Sequence, residues 1–212
     1  GLDLNGERVR KTISRMKKDG IALDPTAIIL ERLMLSRAGE VNAGDADYLD
    51  HMPIGYQRYR KRSFVTINSP EDDQGYKDGF AKVLEVLGTL HREGIQLLPG
   101  TDDTTGFTVH RELELYTKAG IPAAEALRLG TLASAEYLGR AHERGTIEQG
   151  KLADFVLVAG DPTQDIREIK KARMVLKGGA VYFPAEIYSA LGIRPFAPPP
   201  QVRRPAVAGS GS

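Results

Sequence analysis

The sequence contains no cysteine, and its charges are nearly balanced. Without cysteine the chain can form neither a disulfide nor a thiolate metal site, and it has no thiol nucleophile. With 29 basic and 28 acidic side chains, the formal net charge is only +1. This balance gives no electrostatic reason to expect nucleic acid or an anionic membrane as a partner.

Long apolar runs are also lacking. None approaches the length that a membrane-spanning helix needs, and the first residues lack the charged and apolar regions of a signal peptide. We therefore expect no membrane partner and a cytoplasmic location, although missing cysteine does not exclude secretion. The first residue is not Met, which predicts a processed, trimmed or engineered start, and the final Gly209–Ser212 resembles a linker.

The pattern of a helix, a glycine and a short strand occurs twice. Residues 6–19 have helical apolar spacing and precede Gly20 and a predicted strand, Ile21–Leu23. Residues 76–93 form the clearest helix, which is followed by Gly94 and the predicted strand Ile95–Leu98. This recurrence predicts a parallel α/β barrel or sheet, and the spacing does not separate the two.

Further elements continue the α/β pattern and then change to β structure. We predict helices from Thr26 to near Gly39, from Val109 to Thr117, and from Ile121 onward. Residues 145–158 are typical of short strands with glycine turns, and residues 174–183 of a hairpin. The chain is proline-rich from residue 195 and is expected to be extended there.

Residues 40–75 are a long polar excursion without sustained periodicity, called the insertion below. Such a segment is either a lid over an active site or a solvated loop with a few aromatic anchors. Tyr56, Arg58 and Tyr59 lie in it and would suit a polar or acidic substrate if it is a lid. Both interpretations stay open from the residues alone.

The loop that follows Ile95–Leu98 concentrates polar groups. It holds Asp102 and Asp103, together with threonines and glycines, directly after a buried apolar run. Strand ends of this kind carry the chemistry in α/β folds, because the backbone is rigid there and the next loop is open. Asp102 is the best candidate in the chain for a metal ligand or general base. The alternative is an acid that forms an Asx turn or caps a helix.

An ordered series of motifs resembles the end of an amidohydrolase-superfamily barrel, over about residues 20–183. The most similar members are imidazolonepropionase-related and prolidase-like metal-dependent hydrolases. Leu23–Thr26 also resembles the end of the seventh strand in that subgroup. The main motifs are Gly100-Thr101-Asp102, His110–Leu115, Ala119-Gly120-Ile121, Glu125-Ala126-Leu127, Gly130-Thr131, Gly145–Leu157, Asp161-Pro162 and the turn at Val175–Gly179.

The resemblance implies an α/β fold, the C-terminal part of a (β/α)8 TIM-like barrel with a small β-sandwich segment. Residues 21–23 would be the seventh strand and residues 95–99 the eighth. Residues 1–142 would then hold the last barrel elements with the insertion at about 40–75. Residues 143–194 would form the β-sandwich segment, and residues 195–212 a proline-rich tail with a linker-like end.

The resemblance also implies hydrolysis of amide or related C–N bonds by metal-activated water. The aspartate that closes the eighth strand binds metal and accepts the proton of water in this family, and that role corresponds to Asp102. Zinc is the expected metal, as one or two ions. A small-molecule or dipeptide-like substrate is implied. Candidates to support the site or contact substrate are Asp103, Thr104, His110, Tyr56, Arg58 and Tyr59.

The chain departs from the family because its other metal ligands are missing. The family has a His-x-His pair on the first strand, a lysine or glutamate on the fourth, and histidines on the fifth and sixth. None of the four histidines here forms such a pair. One aspartate cannot hold a catalytic zinc, which needs about three protein ligands. We therefore expect an N-terminal partner chain, whether a subunit, a cleaved chain or an engineered split, and an oligomer. The alternative is a non-catalytic structural or binding module.

Overall fold

The computed structural model describes residues 2–103 and 105–201, and most of its regular structure is helical. The longest helix begins at Pro70 and is capped by Ser69, whose hydroxyl accepts a hydrogen bond from Asp72 N at 3.2 Å. The helices are α1 (Glu7–Lys18), α2 (Ala27–Leu35), α3 (Ile54–Arg60), α4 (Pro70–Arg92), α5 (Thr108–Lys118), α6 (Ala123–Arg128), α7 (Ser134–Tyr137) and α8 (Pro184–Ala190), with 3-10 turns at Leu49–His51 and Ile166–Lys170 and a π turn at Leu129–Ala133.

Two extended segments, each preceded by a helix, lie side by side in parallel. Leu23 bridges Leu97, and Leu98 N donates to Leu23 O at 2.8 Å. Gly20 and Gly94 end α1 and α4 with φ values of 64° and 79°, the left-handed conformation that favours glycine. The repeat of a helix, a glycine and an extended segment is therefore present. Within the described residues the parallel pairing is limited to the one bridge between Leu23 and Leu97, so the predicted strands Ile21–Leu23 and Ile95–Leu98 are not formed as full strands.

The main core lies where the two extended segments pack against the long helices. Leu97 and Leu115 are fully buried at its centre, and α2, α4 and α5 contribute further apolar side chains. The predicted helices at residues 6–19 and 109–117 are present with ends shifted by one residue, and the helix predicted at 76–93 is present but begins six residues earlier, at Pro70. The fold is thus a mixed α/β arrangement in which polar loops follow the carboxyl ends of the two extended segments, one after Leu23 and one after Leu98.

A three-stranded antiparallel sheet follows in the last third of the chain. Its strands are β1 (Phe155–Val158), β2 (Ala172–Lys177) and β3 (Ala180–Tyr182), in the order β1-β2-β3. Gly178 and Gly179, with φ of 57° and 81°, form the turn between β2 and β3, as the hairpin prediction required.

The insertion is more structured than its lack of periodicity suggested. It contains a 3-10 turn, α3 and the first turn of α4. Tyr48 and Met52 of the insertion pack with Phe107, and Tyr188 and Phe196 from the end of the chain complete this second core. Phe107 and Phe196 have ring centroids 5.2 Å apart. The C-terminal segment therefore packs on the insertion and on the residues beside the Asp102 loop.

Two short helices were not predicted. Helix α3 buries Arg60, a charged residue that no apolar pattern would place in the interior. Helix α8 lies within residues 143–194, for which only β structure was expected. The division into segments at residues 142 and 194 stays a prediction. No helix among the described residues is long and apolar enough to cross a membrane.

Candidate functional site

The site is built where the two parallel segments end. Asp24 follows Leu23 and the loop with Asp102 follows Leu97, so the bridge between the two leucines brings both loops to one edge. Gly100 allows their close approach, because a Cβ at this position would overlap the Asp24 carboxylate. Two acidic loops thus lie in contact at the carboxyl end of the extended segments.

Both loops hold a non-glycine residue in the left-handed conformation. Thr26 has φ 44° and Asp102 has φ 46°, and no other non-glycine residue in the described ranges has positive φ. Such backbone costs on the order of 1–3 kcal/mol per residue and concentrates at functional sites. A β-branched residue such as Thr26 adopts it especially rarely. The strain marks these two loop positions as the candidate site.

Asp102 meets only part of what a metal site requires. Its side chain is exposed, and no hydrogen bond or ion pair of its carboxylate is found among residues 2–103 and 105–201. A hard carboxylate oxygen fits zinc or a similar divalent ion as one ligand. However, the described residues contain no group of three or more His, Cys, Asp or Glu side chains that could hold a metal. Within the described part, Asp102 can therefore be one ligand but not a complete site.

Asp103 points away from solvent and forms ion pairs. Its Oδ2 accepts hydrogen bonds from Arg32 Nη1 at 3.1 Å and from Arg60 Nη1 at 2.7 Å. The Asp103 side chain is only 1% exposed. This placement suits support of the loop beside Asp102, and its predicted contribution to the site stays a prediction.

His110 lies on α5, half a turn beyond the loop, against the edge of the Phe107 ring. Its Nδ1 is buried and has no hydrogen-bond partner among the described residues. Burial, reinforced by the Lys170 ammonium, lowers the pKa of the imidazole to about 4, while the Glu114 carboxylate opposes this. His110 is therefore neutral at physiological pH, and its predicted substrate contact is not tested by this geometry.

The three candidates in the insertion have different surroundings, and no hydrogen bond, ion pair or ring contact joins any of them to Asp102 within the described residues. Tyr56 packs in the second core with a buried hydroxyl that lacks a partner in the described residues. Arg58 is exposed, and the centroid of the Tyr59 ring lies 5.0 Å from the guanidinium carbon of Arg32. Thr104 lies outside the described residues. Their substrate roles stay predictions.

Several structural members of the site were not found from the sequence. Glu112 of α5 accepts hydrogen bonds from Ala27 N at 3.1 Å and Ile28 N at 2.8 Å, and so caps α2 from another helix. Burial raises the pKa of Glu112 to about 7, the two backbone hydrogen bonds lower it, and Asp24 contributes a smaller increase.

Ion pairs also connect the helices around the site. Arg111 of α5 donates to Glu31 of α2 at 2.6 and 2.9 Å and to Glu114 at 2.7 Å, and Lys170 pairs with Glu114. These residues, like Arg32 and Arg60, are buried charges. Only an excess of charged residues at apolar-face positions of α2 and α5 could have signalled them.

Comparison with known proteins gives one consistent family. A sequence profile described as the amidohydrolase family matches residues 8–180. The chain is 28% identical over 162 residues to an imidazolonepropionase of Thermoanaerobacter pseudethanolicus, covering 72% of this chain and 37% of the relative. It is 37% identical over 90 residues to an N-acetylglucosamine-6-phosphate deacetylase of Caenorhabditis elegans, covering 40% of this chain and 21% of the relative. The chain therefore spans only a minor part of the relatives it matches.

Solved structures agree with the sequence matches. A Xaa-Pro dipeptidase crystallised with methionine in its active site gives a TM-score of 0.56 at 22% identity, covering 82% of this chain and 37% of that one. Ochratoxinase of A. niger gives 0.57 at 19% identity, covering 84% and 35%. At these identities the likeness shows the fold alone, a mixed α/β fragment that corresponds to about a third of those structures.

Proposed function

The chain belongs to the amidohydrolase family, and we propose that it is the C-terminal part of a metal-dependent hydrolase of amide or related C–N bonds. The observation that carries this proposal is the position of Asp102. It is an exposed carboxylate on a strained residue, in the loop after the second of two parallel segments. In α/β folds this is where catalytic groups are held.

The proposed roles begin with Asp102. Its carboxylate would bind a divalent ion, zinc in our proposal, and accept the proton of the attacking water. When bound, the ion supplies Lewis acidity and lowers the pKa of water. Asp24, pressed against Gly100, shapes the edge of the site. We also propose that the neutral His110 and the insertion residues Tyr56, Arg58 and Tyr59 contact the substrate.

The remaining ligands must come from outside the described residues, because those contain no cluster of three ligand side chains. A zinc site with catalytic function takes about three protein ligands. We therefore propose that an N-terminal segment with histidine ligands completes the site, whether on a partner chain or on the same polypeptide. The substrate would be a small molecule or dipeptide-like compound.

A second candidate function is a non-catalytic structural or binding module. It is favoured by the same lack of a ligand cluster in the described residues. In that case the Asp102 loop would be inherited from a metal-dependent ancestor and would bind no metal in this protein. The two candidates differ in whether the native protein contains metal bound through Asp102.

The first test is elemental analysis of the protein isolated from its native source, with intact masses of every copurifying chain. The proposal expects about one or two zinc-like ions per complete site and a polypeptide that supplies histidine ligands. Asp102→Asn should remove most of the metal and of the amide hydrolysis. Asn keeps the left-handed conformation accessible, so the fold should be retained.

Asp78→Asn is the matched control, because Asp78 is an exposed acid on α4 that hydrogen-bonds only Gln74 within the described chain. This variant should keep both metal and activity. A native sample that consists of one 23.1 kDa species without metal would instead support the non-catalytic module. A fully active Asp102→Asn variant would contradict the role of Asp102.

A further inference from the structure

The residue after Asp102 connects three parts of the molecule. Asp103 lies in the loop, Arg32 on α2 and Arg60 on α3 of the insertion. Both guanidinium groups donate to the same oxygen, Asp103 Oδ2. The exposed fractions of the three side chains are 1%, 6% and 2% for Asp103, Arg32 and Arg60. A single buried carboxylate oxygen therefore joins the loop to a core helix and to the insertion.

The insertion side of this junction is itself held firmly. Arg60 donates from Nε to Asp45 Oδ2 at 2.9 Å and from Nη2 to Asp45 Oδ1 at 2.6 Å. The Tyr48 hydroxyl donates to Asp45 Oδ1 at 2.6 Å. Such a bidentate guanidinium–carboxylate pair fixes both position and orientation. Arg60 is thus a rigid anchor rather than a mobile surface cation.

The charges of the group cancel. Asp45 and Asp103 contribute two negative charges, and Arg32 and Arg60 two positive ones. The group therefore adds no formal net charge next to Asp102. The proposed effect on Asp102 is geometric, through the backbone that joins the two aspartates.

Asp102 needs such support because its backbone is strained. The φ of 46° costs on the order of 1–3 kcal/mol for a residue that is not glycine. A conformation of this kind persists only where the surroundings determine it. The Thr108 hydroxyl donates to the Thr105 carbonyl at 2.7 Å, and the Thr101 hydroxyl lies 3.4 Å from the Asp103 carbonyl, so side chains on both sides of Asp103 turn back onto the loop backbone.

We propose that Asp103 is a positioning residue whose ion pairs with Arg32 and Arg60 hold Asp102 in the conformation that presents its carboxylate, and so link the metal site to docking of the insertion. This inference rests on the proposed function, in which Asp102 is a metal ligand. It predicts that loosening the insertion weakens the metal site, although no insertion residue binds the metal. The direct readout is therefore the loop itself, with or without metal.

The experiment compares Asp103→Asn with Glu31→Gln. Glu31 pairs with Arg111 at 2.6 Å, with exposed side-chain fractions of 3% and 5%, so this control breaks an equally buried carboxylate–guanidinium pair. The Glu31 pair joins α2 to α5. In the described chain the Glu31 carboxylate accepts hydrogen bonds from Arg111 and from none of residues 99–107 or 54–60, although it lies against Gly44 at the start of the insertion. Hydrogen exchange by mass spectrometry would follow peptides that cover residues 99–107 and 54–60. We expect Asp103→Asn to raise the exchange rate of both peptides about tenfold or more. Glu31→Gln should raise their exchange rates no more than it raises those of the rest of the protein.

A second readout uses the protein together with any chain that completes its metal site. Co²⁺ in place of the native ion gives a visible absorption spectrum that reports the ligand geometry. Asp103→Asn should change this spectrum and weaken Co²⁺ binding by about 10- to 100-fold, as is typical for groups that orient metal ligands. Glu31→Gln should leave both unchanged. If Asp103→Asn does not fold, Arg60→Lys tests the same link from the insertion, with the same direction expected.

The outcomes separate this inference from the proposed function. If Asp102→Asn leaves Co²⁺ binding intact, the proposed metal role fails, while the exchange data still decide whether Asp103 holds the loop. If Asp102→Asn removes the metal and Asp103→Asn affects loop and spectrum no more than Glu31→Gln does, the positioning role is overturned and the proposed function stands.

Discussion

His110 is a buried imidazole that is held neutral by its surroundings. Its pKa is lowered to about 4, first by burial and then by Lys170. The folded protein therefore takes up the His110 proton only near pH 4, whereas the unfolded chain takes it up near pH 6.5. Between about pH 4 and pH 6.5 the unfolded state therefore binds more protons than the folded state. As a result His110 leaves the free energy of unfolding unchanged above about pH 6.5 and lowers it as the pH falls from about 6.5 toward 4.

This gives a prediction at a single residue. His110→Gln removes the titrating group and should reduce the loss of unfolding free energy between pH 7.5 and pH 5 by about 2 kcal/mol. Urea denaturation at the two pH values measures it. His142→Gln is the control, because the His142 side chain is 70% exposed. Equal pH dependence in His110→Gln and the wild type would show that His110 titrates normally.

Individual residues also show how far the sequence could indicate the site. Asp102 is a candidate from a local pattern, two acids after an apolar run. The structure adds a left-handed backbone there, and the role of Asp102 stays a prediction. The partners of Asp103 could not be predicted, because Arg32 and Arg60 lie 71 and 43 residues away in the sequence. Ion pairs between distant residues leave no periodic signal.

At the scale of elements, the cap of α2 is unusual because it comes from another helix. The side chain of Thr26, the residue before α2, makes no capping hydrogen bond. Instead the first two backbone amides of α2, those of Ala27 and Ile28, donate to the two carboxylate oxygens of Glu112. These amides are among those that a helix cannot satisfy internally. The cap therefore connects the loop after Leu23 to α5, the helix after the Asp102 loop.

We expect Glu112→Ala to destabilise the protein by about 2–4 kcal/mol, since it leaves two buried amides unpaired and creates a small cavity. Ser69→Ala, at the exposed cap of α4, should cost only about 1 kcal/mol. Thermal or urea unfolding compares the two variants. A cost for Glu112→Ala no larger than that for Ser69→Ala would mean that the long-range cap contributes little.

Elements with a clear apolar stripe were predictable, and those fixed by distant contacts were not. The periodicity of residues 76–93 and of 109–117 predicted α4 and α5, and two glycines predicted the turn between β2 and β3. The segments Ile21–Leu23 and Ile95–Leu98 pair at one residue only. Helices α3 and α8 were missed because their places depend on the second core, which joins the insertion to the end of the chain.

At the scale of the whole molecule, apolar surface remains uncovered on the C-terminal sheet side. A groove of about 930 Å³ lies between the end of the α6–α7 region and strands β1 and β2. Leu138 and Ile147 line it and are 70% and 84% exposed, and Val156 is 46% exposed. Contiguous apolar surface of this kind marks interaction sites. If the protein forms an oligomer or binds a partner chain, we therefore expect this groove to be the contact surface.

We expect Leu138→Lys to weaken self-association or binding of a completing chain by about tenfold or more. Burial of a leucine side chain contributes about 1.5–3 kcal/mol, and a lysine at its place would also lose hydration on binding. Sedimentation velocity over a concentration series measures the effect. Leu191→Lys is the matched control, because Leu191 is 62% exposed but lies after α8, outside the groove. If both lysines act equally, general surface hydrophobicity drives association. If neither acts, the groove is not the interface, and another apolar groove, between α1 and α4, becomes the next surface to test.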